Sequence, residues 1–134
     1  GAVIKNALSN NDEGVPEFLI LKNRRGFWGF PQGHKERGES DVQTLSREVG
    51  EETGIENINI ISFIGTIRYY YFKQDGMKSH KEVKFYFATT STKEIIISNE
   101  HESYKWVTFD DVLDILSHRQ LRIIFFKGRR RGLY

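Results

Sequence analysis

Cysteine is absent from the 134 residues of this chain, and proline occurs only twice. Without cysteine, the chain forms neither disulfides nor thiolate zinc sites. It also lacks an apolar run near the ~20 residues that a membrane-spanning helix needs. The start "GAVIKN" has no long apolar stretch after a basic end, so we do not expect a signal peptide there. These absences are compatible with an intracellular protein, and we expect a cytoplasmic location.

A strong excess of charge is lacking too, because the formal net charge is only +2. Much of the basic excess lies in "KGRRRGLY" at 127–134. We interpret this segment as a solvated tail, and the alternative is that it attracts a polyanion. Hydrophobic residues make up 38% of the chain and aromatic residues 13%. Length and composition together predict one folded domain over residues 1–134.

Strand-like and helix-like segments alternate along the chain. Strands are expected at these positions: 2–4, 17–22, 58–72, 82–90, 104–109 and, as a shorter candidate, 95–98. The polar stretch 9–16 reads as a turn, and 73–81 reads as a hairpin loop. A helix capped by Thr108 is expected at 110–117, and 119–128 reads as a helix or the end of one. This interleaving predicts an α/β (α+β) protein, a sandwich with a mixed sheet.

The segment 40–54 carries the clearest helix signals. Ser40 is a good N-cap with Gln43 in the capping-box position, and Gly54 is a good stop signal. Three apolar residues recur at helical spacing and predict the buried face of this helix: Val42, Leu45 and Val49.

Three glutamates crowd the end of the same helix. Glu48, Glu51 and Glu52 are spaced to share one face, away from the apolar stripe. A solvated acidic face is the simple interpretation. The preceding loop 24–39 is rich in glycine, however, and brings backbone carbonyls close to a ligand. Carbonyl and carboxylate oxygens are hard ligands that suit Mg²⁺, and a cation would offset the repulsion among the glutamates.

The stretch 33–55 reads "GHKERGESDVQTLSREVGEETGI". It resembles a complete Nudix box: Gly, five residues, Glu, seven residues, Arg-Glu, an apolar residue, any residue, Glu-Glu, any residue, Gly and an apolar residue. The resemblance implies a Nudix-type α/β/α sandwich. It also implies hydrolysis of a nucleoside diphosphate linked to another group, with Mg²⁺ or Mn²⁺ as cofactor.

The resemblance also implies roles for the box residues. Glu48 and Glu52 would be the main metal ligands, and Glu51 would be a further ligand or help to activate water. The remaining ligand would be a backbone carbonyl, that of Gly33. Arg47 would orient the glutamates, and Glu39 would support the geometry between loop and helix.

The flanks of the box bear on the substrate. "FWGFPQGHKERGES" resembles the diadenosine tetraphosphate hydrolases, and it shares "FPQG" with RNA pyrophosphohydrolases. "NEHESYKWV" at 99–107 resembles the former group, which makes Glu100 a candidate fourth carboxylate acting on metal or water. Glu102 is a less favoured candidate for the same role. The alternative interpretation of "EHES" is a polar surface loop.

Four further residues are candidate substrate contacts: Tyr70, Lys81, His34 and Arg25. If Ile67 faces inward, Tyr70 points the other way and can stack on a base. Lys81, His34 and Arg25, with its neighbour Arg24, are candidates for phosphate contact. For all of these the simple alternative is a core aromatic or a solvated surface side chain.

The sequence thus predicts a Mg²⁺-dependent hydrolase that cleaves diadenosine tetraphosphate asymmetrically into ATP and AMP. The first alternative is another Nudix activity, on RNA 5′ ends, nucleoside triphosphates or nucleotide sugars. The second is a binding module without catalysis, which the intact box disfavours. RNA is the less favoured partner, and no membrane partner is expected. The downstream proline typical of ADP-ribose hydrolases is missing, because Pro16 and Pro31 both precede the box.

Overall fold

Six strands and three helices form the part of the chain that the computed structural model describes, residues 1–10 and 14–134. Their order is β1 (Ala2–Asn10), β2 (Pro16–Asn23), β3 (Trp28–Gly29), α1 (Asp41–Thr53), β4 (Asn59–Phe72), β5 (Lys78–Thr90), β6 (His101–Thr108), α2 (Phe109–Ile115) and α3 (Arg119–Arg130). None of these helices is long and apolar enough to cross a membrane.

The strands form one mixed sheet. β1 and β5 are parallel neighbours, with Ala2 opposite Tyr86. The remaining pairs, β1 with β2, β2 with β3, β2 with β6, and β4 with β5, are antiparallel. β2 therefore joins three other strands and lies near the centre of the sheet.

Helices cover both faces of this sheet. Side chains alternate across a strand, so Phe18 and Ile20 of β2 join one core cluster while Leu19 and Leu21 join the other. The first cluster includes residues of α2 and α3, and the second includes residues of α1. β2 is buried on both faces, which explains its continuous apolar run. The predicted α/β/α sandwich with a mixed sheet is confirmed.

The helix predicted at 40–54 is α1. The Ser40 hydroxyl accepts from the Gln43 N–H, the Gln43 side chain accepts from the Ser40 N–H, and Gly54 ends the helix in the left-handed conformation. Leu45 and Val49 are buried as predicted. Val42 is 54% exposed, so its place in the buried stripe was wrong. It lies in the first turn, where Asp41, and not Val42, contacts the sheet through Lys84 and Tyr86.

Several strand boundaries differ from those predicted. β1 continues well beyond residue 4, and β5 begins at Lys78, inside the segment predicted as a hairpin loop. The polar residues at the start of β5 pair with β4 on an exposed ribbon, where burial does not demand apolar side chains. Residues 95–98 form no strand, although Ile95 still packs into the core. Of the turn predicted at 9–16, residues 11–13 lie outside the described residues.

The C-terminal segment is not a solvated tail as predicted. α3 continues to Arg130, and Tyr134 turns back onto the core, where its hydroxyl donates to the Phe125 carbonyl. Its ring lies 5.0 Å from that of Phe87 and 5.1 Å from that of Phe18. Burial accordingly raises the pKa of Tyr134 above its usual value.

Candidate active site

Arg47 organises the loop and helix that carry the acidic residues. Its Nε donates to Glu39 at 2.8 Å, its Nη1 to Glu48 at 2.8 Å, and its Nη2 to the His34 carbonyl at 2.8 Å. Glu51 lies 3.3 Å from Nη1. One guanidinium therefore connects α1 to the loop before it, and its planar fork suits this set of acceptors.

Glu39 is the main anchor of this arrangement. Besides Arg47, it accepts the Glu36 N–H at 2.7 Å and the Thr44 hydroxyl at 3.2 Å. The hydrogen bond from Arg47, followed by that from the Glu36 N–H, lowers the pKa of Glu39 to about 2. The positioning roles predicted for Arg47 and Glu39 stay predictions, and this bonding pattern supports them.

Glu52 is buried, with 6% of its surface exposed. Its carboxyl accepts the Gln32 N–H at 2.9 Å. Burial, reinforced by the charges of Glu48 and Glu100, raises the pKa of Glu52 to about 8. The sequence placed all three glutamates on a face away from the core, which is wrong for Glu52. The loop at 30–33 folds over this point of α1 and removes the carboxyl from water.

Gly33 lies against Glu48. A Cβ at position 33 would overlap the Glu48 carboxyl group, so the loop approaches the helix more closely than any other residue would permit. The backbone of Gly33 and the carboxylate of Glu48 thus share one wall of a cavity.

This carboxylate cavity has a volume of about 600 Å³. It brings together every residue that the sequence assigned to metal binding or catalysis: Gly33, Arg47, Glu48, Glu51, Glu52 and Glu100. Their oxygen donors are of the type that Mg²⁺ and Mn²⁺ prefer.

The donors fit a divalent cation in type but do not yet surround one. Within residues 1–10 and 14–134, no three His, Cys, Asp or Glu side chains lie close enough to hold one ion. Glu48 and Glu51 both contact Arg47. Both carboxylates therefore have a cationic partner in this structure.

A second cavity, the aromatic cavity, has a volume of about 410 Å³. Rings from separate parts of the chain line it: Phe27, Trp28, Phe30, Tyr69, Tyr70, Tyr71, His101 and His118. Four residues line both cavities, which therefore adjoin: Gln32, Glu52, Lys81 and Glu100.

The candidate substrate contacts occupy different places. Ile67 is 5% exposed and faces inward, as assumed. Tyr70 is 59% exposed, and its ring lies 4.5 Å from the Lys78 ammonium at the margin of the aromatic cavity. Lys81 is half-buried between the two cavities, and His34 lines the carboxylate cavity.

Three other candidates lie outside the linings of both cavities. The Arg25 guanidinium is 5.7 Å from the ring of Phe27, which does line the aromatic cavity. Arg24 donates to the Asn99 carbonyl. Glu102 pairs with Lys22 at 3.0 Å, so the structure brings Glu100 and not Glu102 to the carboxylates.

Sequence reasoning missed several contributors to these cavities, and three of them are instructive. The Gln32 backbone N–H bonds Glu52, and Phe27 and His118 form part of the aromatic cavity. The aromatic "FWGF" stretch at 27–30 was a usable signal for Phe27. His118 carried no such signal, because it precedes α3, far along the chain.

Comparison with known proteins identifies the family and the fold of the chain. The NUDIX domain family matches residues 5–126. A rat bis(5′-nucleosyl)-tetraphosphatase (asymmetrical) is 31% identical over 123 residues, covering 89% of this chain and 82% of that protein. An RNA pyrophosphohydrolase of Pelagibacter ubique is 27% identical, covering 85% of this chain and 80% of that protein. A solved Ap4A hydrolase of C. elegans, in a binary complex, superimposes with a TM-score of 0.78 at 26% identity, covering 99% of this chain and 95% of that one.

Proposed function

The chain belongs to the Nudix family and is a Nudix hydrolase, and from that premise we propose that it cleaves diadenosine tetraphosphate into ATP and AMP with Mg²⁺. Nudix pyrophosphohydrolases act on nucleotide polyphosphates, and divalent metals are their usual cofactors. The proposal concerns the particular substrate, the particular metal and the residues that act.

The observation that carries the proposal is the junction of the two cavities. The aromatic cavity offers ring surfaces to a base, and the carboxylate cavity offers a site for metal-bound phosphates. Lys81 and Glu52 line both cavities and therefore lie at their junction. A nucleotide can therefore place its base in one cavity and its polyphosphate chain in the other.

In this proposal Glu48 and Glu52 would hold the metal together with the Gly33 carbonyl, and Glu51 would be a further ligand or help to activate water. The bound ion would neutralise polyphosphate charge and lower the pKa of a water. Arg47 keeps the glutamates in position from the loop side, through its bonds to Glu39 and His34.

The reaction itself is hydrolysis of a phosphoanhydride. The oxygen of water forms a bond to one phosphorus, and the bond from that phosphorus to the bridging oxygen breaks. Glu100 or Glu51, both in the carboxylate cavity, takes the proton from water. Lys81 faces the phosphates and offsets their charge.

The relatives support the substrate proposal without deciding it. The rat and C. elegans proteins are named for dinucleoside tetraphosphate cleavage, while the Pelagibacter protein is named for RNA pyrophosphohydrolysis. RNA 5′-pyrophosphohydrolysis is therefore the second candidate. The cytoplasmic location expected from the sequence stays a prediction.

The test is a comparison of kcat/KM for four substrates: diadenosine tetraphosphate, 5′-triphosphorylated RNA, a nucleoside triphosphate and ADP-ribose. Wild type and Glu52→Gln are assayed with Mg²⁺ and, separately, with Mn²⁺. We expect the highest value for diadenosine tetraphosphate. A higher value for triphosphorylated RNA would establish the second candidate instead, and no turnover of any of the four would favour a binding module.

A further inference from the structure

The outward face of α3 is basic and partly apolar. The face of α3 that packs on the core consists of Leu121, Ile124, Phe125 and Gly128. On the other side lies a groove with a volume of about 720 Å³, here called the α3 groove. Its lining residues are Arg122, Ile123, Phe126, Lys127, Arg130 and Arg131. Among residues 1–10 and 14–134, no acidic residue contributes to this lining.

The four cations of the α3 groove keep their charge unpaired. In the described ranges, none of them lies within 4.0 Å of a carboxylate. Arg122 donates to the Leu116 carbonyl at 2.6 Å, and Arg131 donates to the Phe63 carbonyl at 2.6 Å. These bonds hold two guanidinium groups in place without neutralising them, so the groove presents fixed positive charge.

Two large apolar side chains lie among these cations. Ile123 is 55% exposed and Phe126 is 47% exposed. A phosphate chain with stackable bases matches both features, because arginine forks bind phosphate oxygens and an aromatic face stacks on a base. The surface is concave, which suits a strand lying along it better than a flat bilayer.

The α3 groove is also close to the aromatic cavity. His118 and Leu121, at the start of α3, line that cavity, and Arg122 is the next residue along the chain. The groove and the aromatic cavity therefore share the first turn of α3, on different sides of the helix.

From charge, shape and position, we propose that the α3 groove binds single-stranded RNA. Arg122, Arg130 and Arg131 contact its phosphates, and Phe126 stacks on a base. This binding does not depend on which phosphoanhydride the carboxylate cavity cleaves, so it holds for either substrate candidate.

The test uses a fluorescent oligouridylate with a 5′-hydroxyl end, in buffer with EDTA. This probe carries no terminal phosphate for the carboxylate cavity, and no metal is present for hydrolysis. Fluorescence anisotropy gives Kd over a series of salt concentrations. We expect wild type to bind with strong salt dependence, and Arg130→Ala to reduce the slope of log K against log salt by about 0.7 for one lost phosphate contact. Phe126→Ala should weaken binding about tenfold.

The matched control is Lys73→Ala, which removes one cation from the β4–β5 hairpin, away from the groove. It should bind RNA like wild type. Equal effects of Lys73→Ala and Arg130→Ala would overturn the proposal, as would absence of RNA binding by wild type. Binding to phosphatidylserine vesicles that RNA does not displace would overturn it in favour of a membrane surface. Diadenosine tetraphosphate hydrolysis, measured separately on Phe126→Ala, should be unchanged, which separates this proposal from that of the substrate.

Discussion

The carboxylate cavity and the aromatic cavity adjoin, yet they are held together in different ways. In the first, Arg47 bonds to Glu39, Glu48 and His34, all within a short stretch of chain, and Gly33 admits the Glu48 carboxyl. In the second, rings from β3, β4 and the start of α3 face one space. Under the proposed function, a local hydrogen-bonded motif would provide the chemistry, while the tertiary fold would provide recognition. Changes in the first cavity should therefore lower kcat, and changes in the second should raise KM.

The largest effect is expected from Glu52→Gln. This change keeps the shape and the Gln32 N–H contact but removes the negative charge proposed to bind metal. Loss of a residue that hydrogen-bonds a metal ligand lowers activity roughly 10–100-fold. Because Glu52 is proposed as a ligand itself, we expect a larger fall in kcat. Steady-state hydrolysis of diadenosine tetraphosphate measures this. Retention of near-normal kcat would remove Glu52 from the metal site.

The buried state of Glu52 should also be visible in the stability of the metal-free protein. Its pKa is about 8 in the folded chain against 4.5 ordinarily. Between these values the folded protein holds a proton that the unfolded chain releases, so stability falls as pH rises from about 4.5 to about 8. Relative to Glu52→Gln, wild type should lose on the order of a few kcal/mol over this range.

Urea unfolding in EDTA at several pH values, on both proteins, measures this difference. The variant serves as the control, because the two proteins share all other titrating groups. If the unfolding free energy changes with pH by the same amount in the two proteins, burial of the Glu52 carboxyl is contradicted.

Gly33→Ala tests the close approach of loop and helix in the carboxylate cavity. The new methyl group would overlap the Glu48 carboxyl and push the loop from α1. We expect activity to fall about 10–100-fold. Low Mg²⁺ concentrations should also activate the variant less than they activate wild type. A Mg²⁺ titration of the hydrolysis rate measures both.

Gly50→Ala is the matched control for this change. The added Cβ at position 50 meets only the Ile55 carbonyl at 3.7 Å, an ordinary contact, in the interior of α1. It should preserve activity and stabilise the protein by about 1 kcal/mol through helix propensity. Similar loss of activity in the two alanine variants would show that the Gly33 contact is not specific.

The smallest effect is expected in the aromatic cavity, from Phe27→Ala. Phe27 is 40% exposed and its ring lies 5.3 Å from that of His118. Loss of one stacking surface should raise KM about tenfold and leave kcat close to normal. Phe72→Ala, at a ring that is 75% exposed and outside both cavities, should leave both constants unchanged. A fall in kcat with constant KM for Phe27→Ala would contradict the division between the cavities.

The two cavities also differ in how far the sequence predicts them. The capping box, Gly54 and the spacing of the glutamates are local, so the sequence placed α1 and the residues around the carboxylate cavity. It did not predict the burial of Glu52, because the covering loop lies 20 residues away along the chain. The aromatic cavity was only partly predicted, through Tyr70, Lys81 and Glu100.

The remaining errors have the same physical origin. Val42 fits the apolar period of α1, but in the first turn Asp41 contacts Lys84 and Tyr86 of β5 while Val42 is exposed. The basic C-terminal segment reads as solvated in the sequence. In the structure Tyr134 packs against the rings of Phe18, Phe87 and Phe125. In each case the outcome depends on contacts between distant parts of the chain, which local patterns do not specify.

The most direct test of the central claim is the identity of the products formed from diadenosine tetraphosphate and Mg²⁺. The nucleotides are separated by chromatography, with Glu52→Gln treated in parallel. We predict ATP and AMP in equal amounts from wild type, and almost none from the variant. Two molecules of ADP for each substrate cleaved, or equal cleavage by the variant, would contradict asymmetric hydrolysis at the carboxylate cavity.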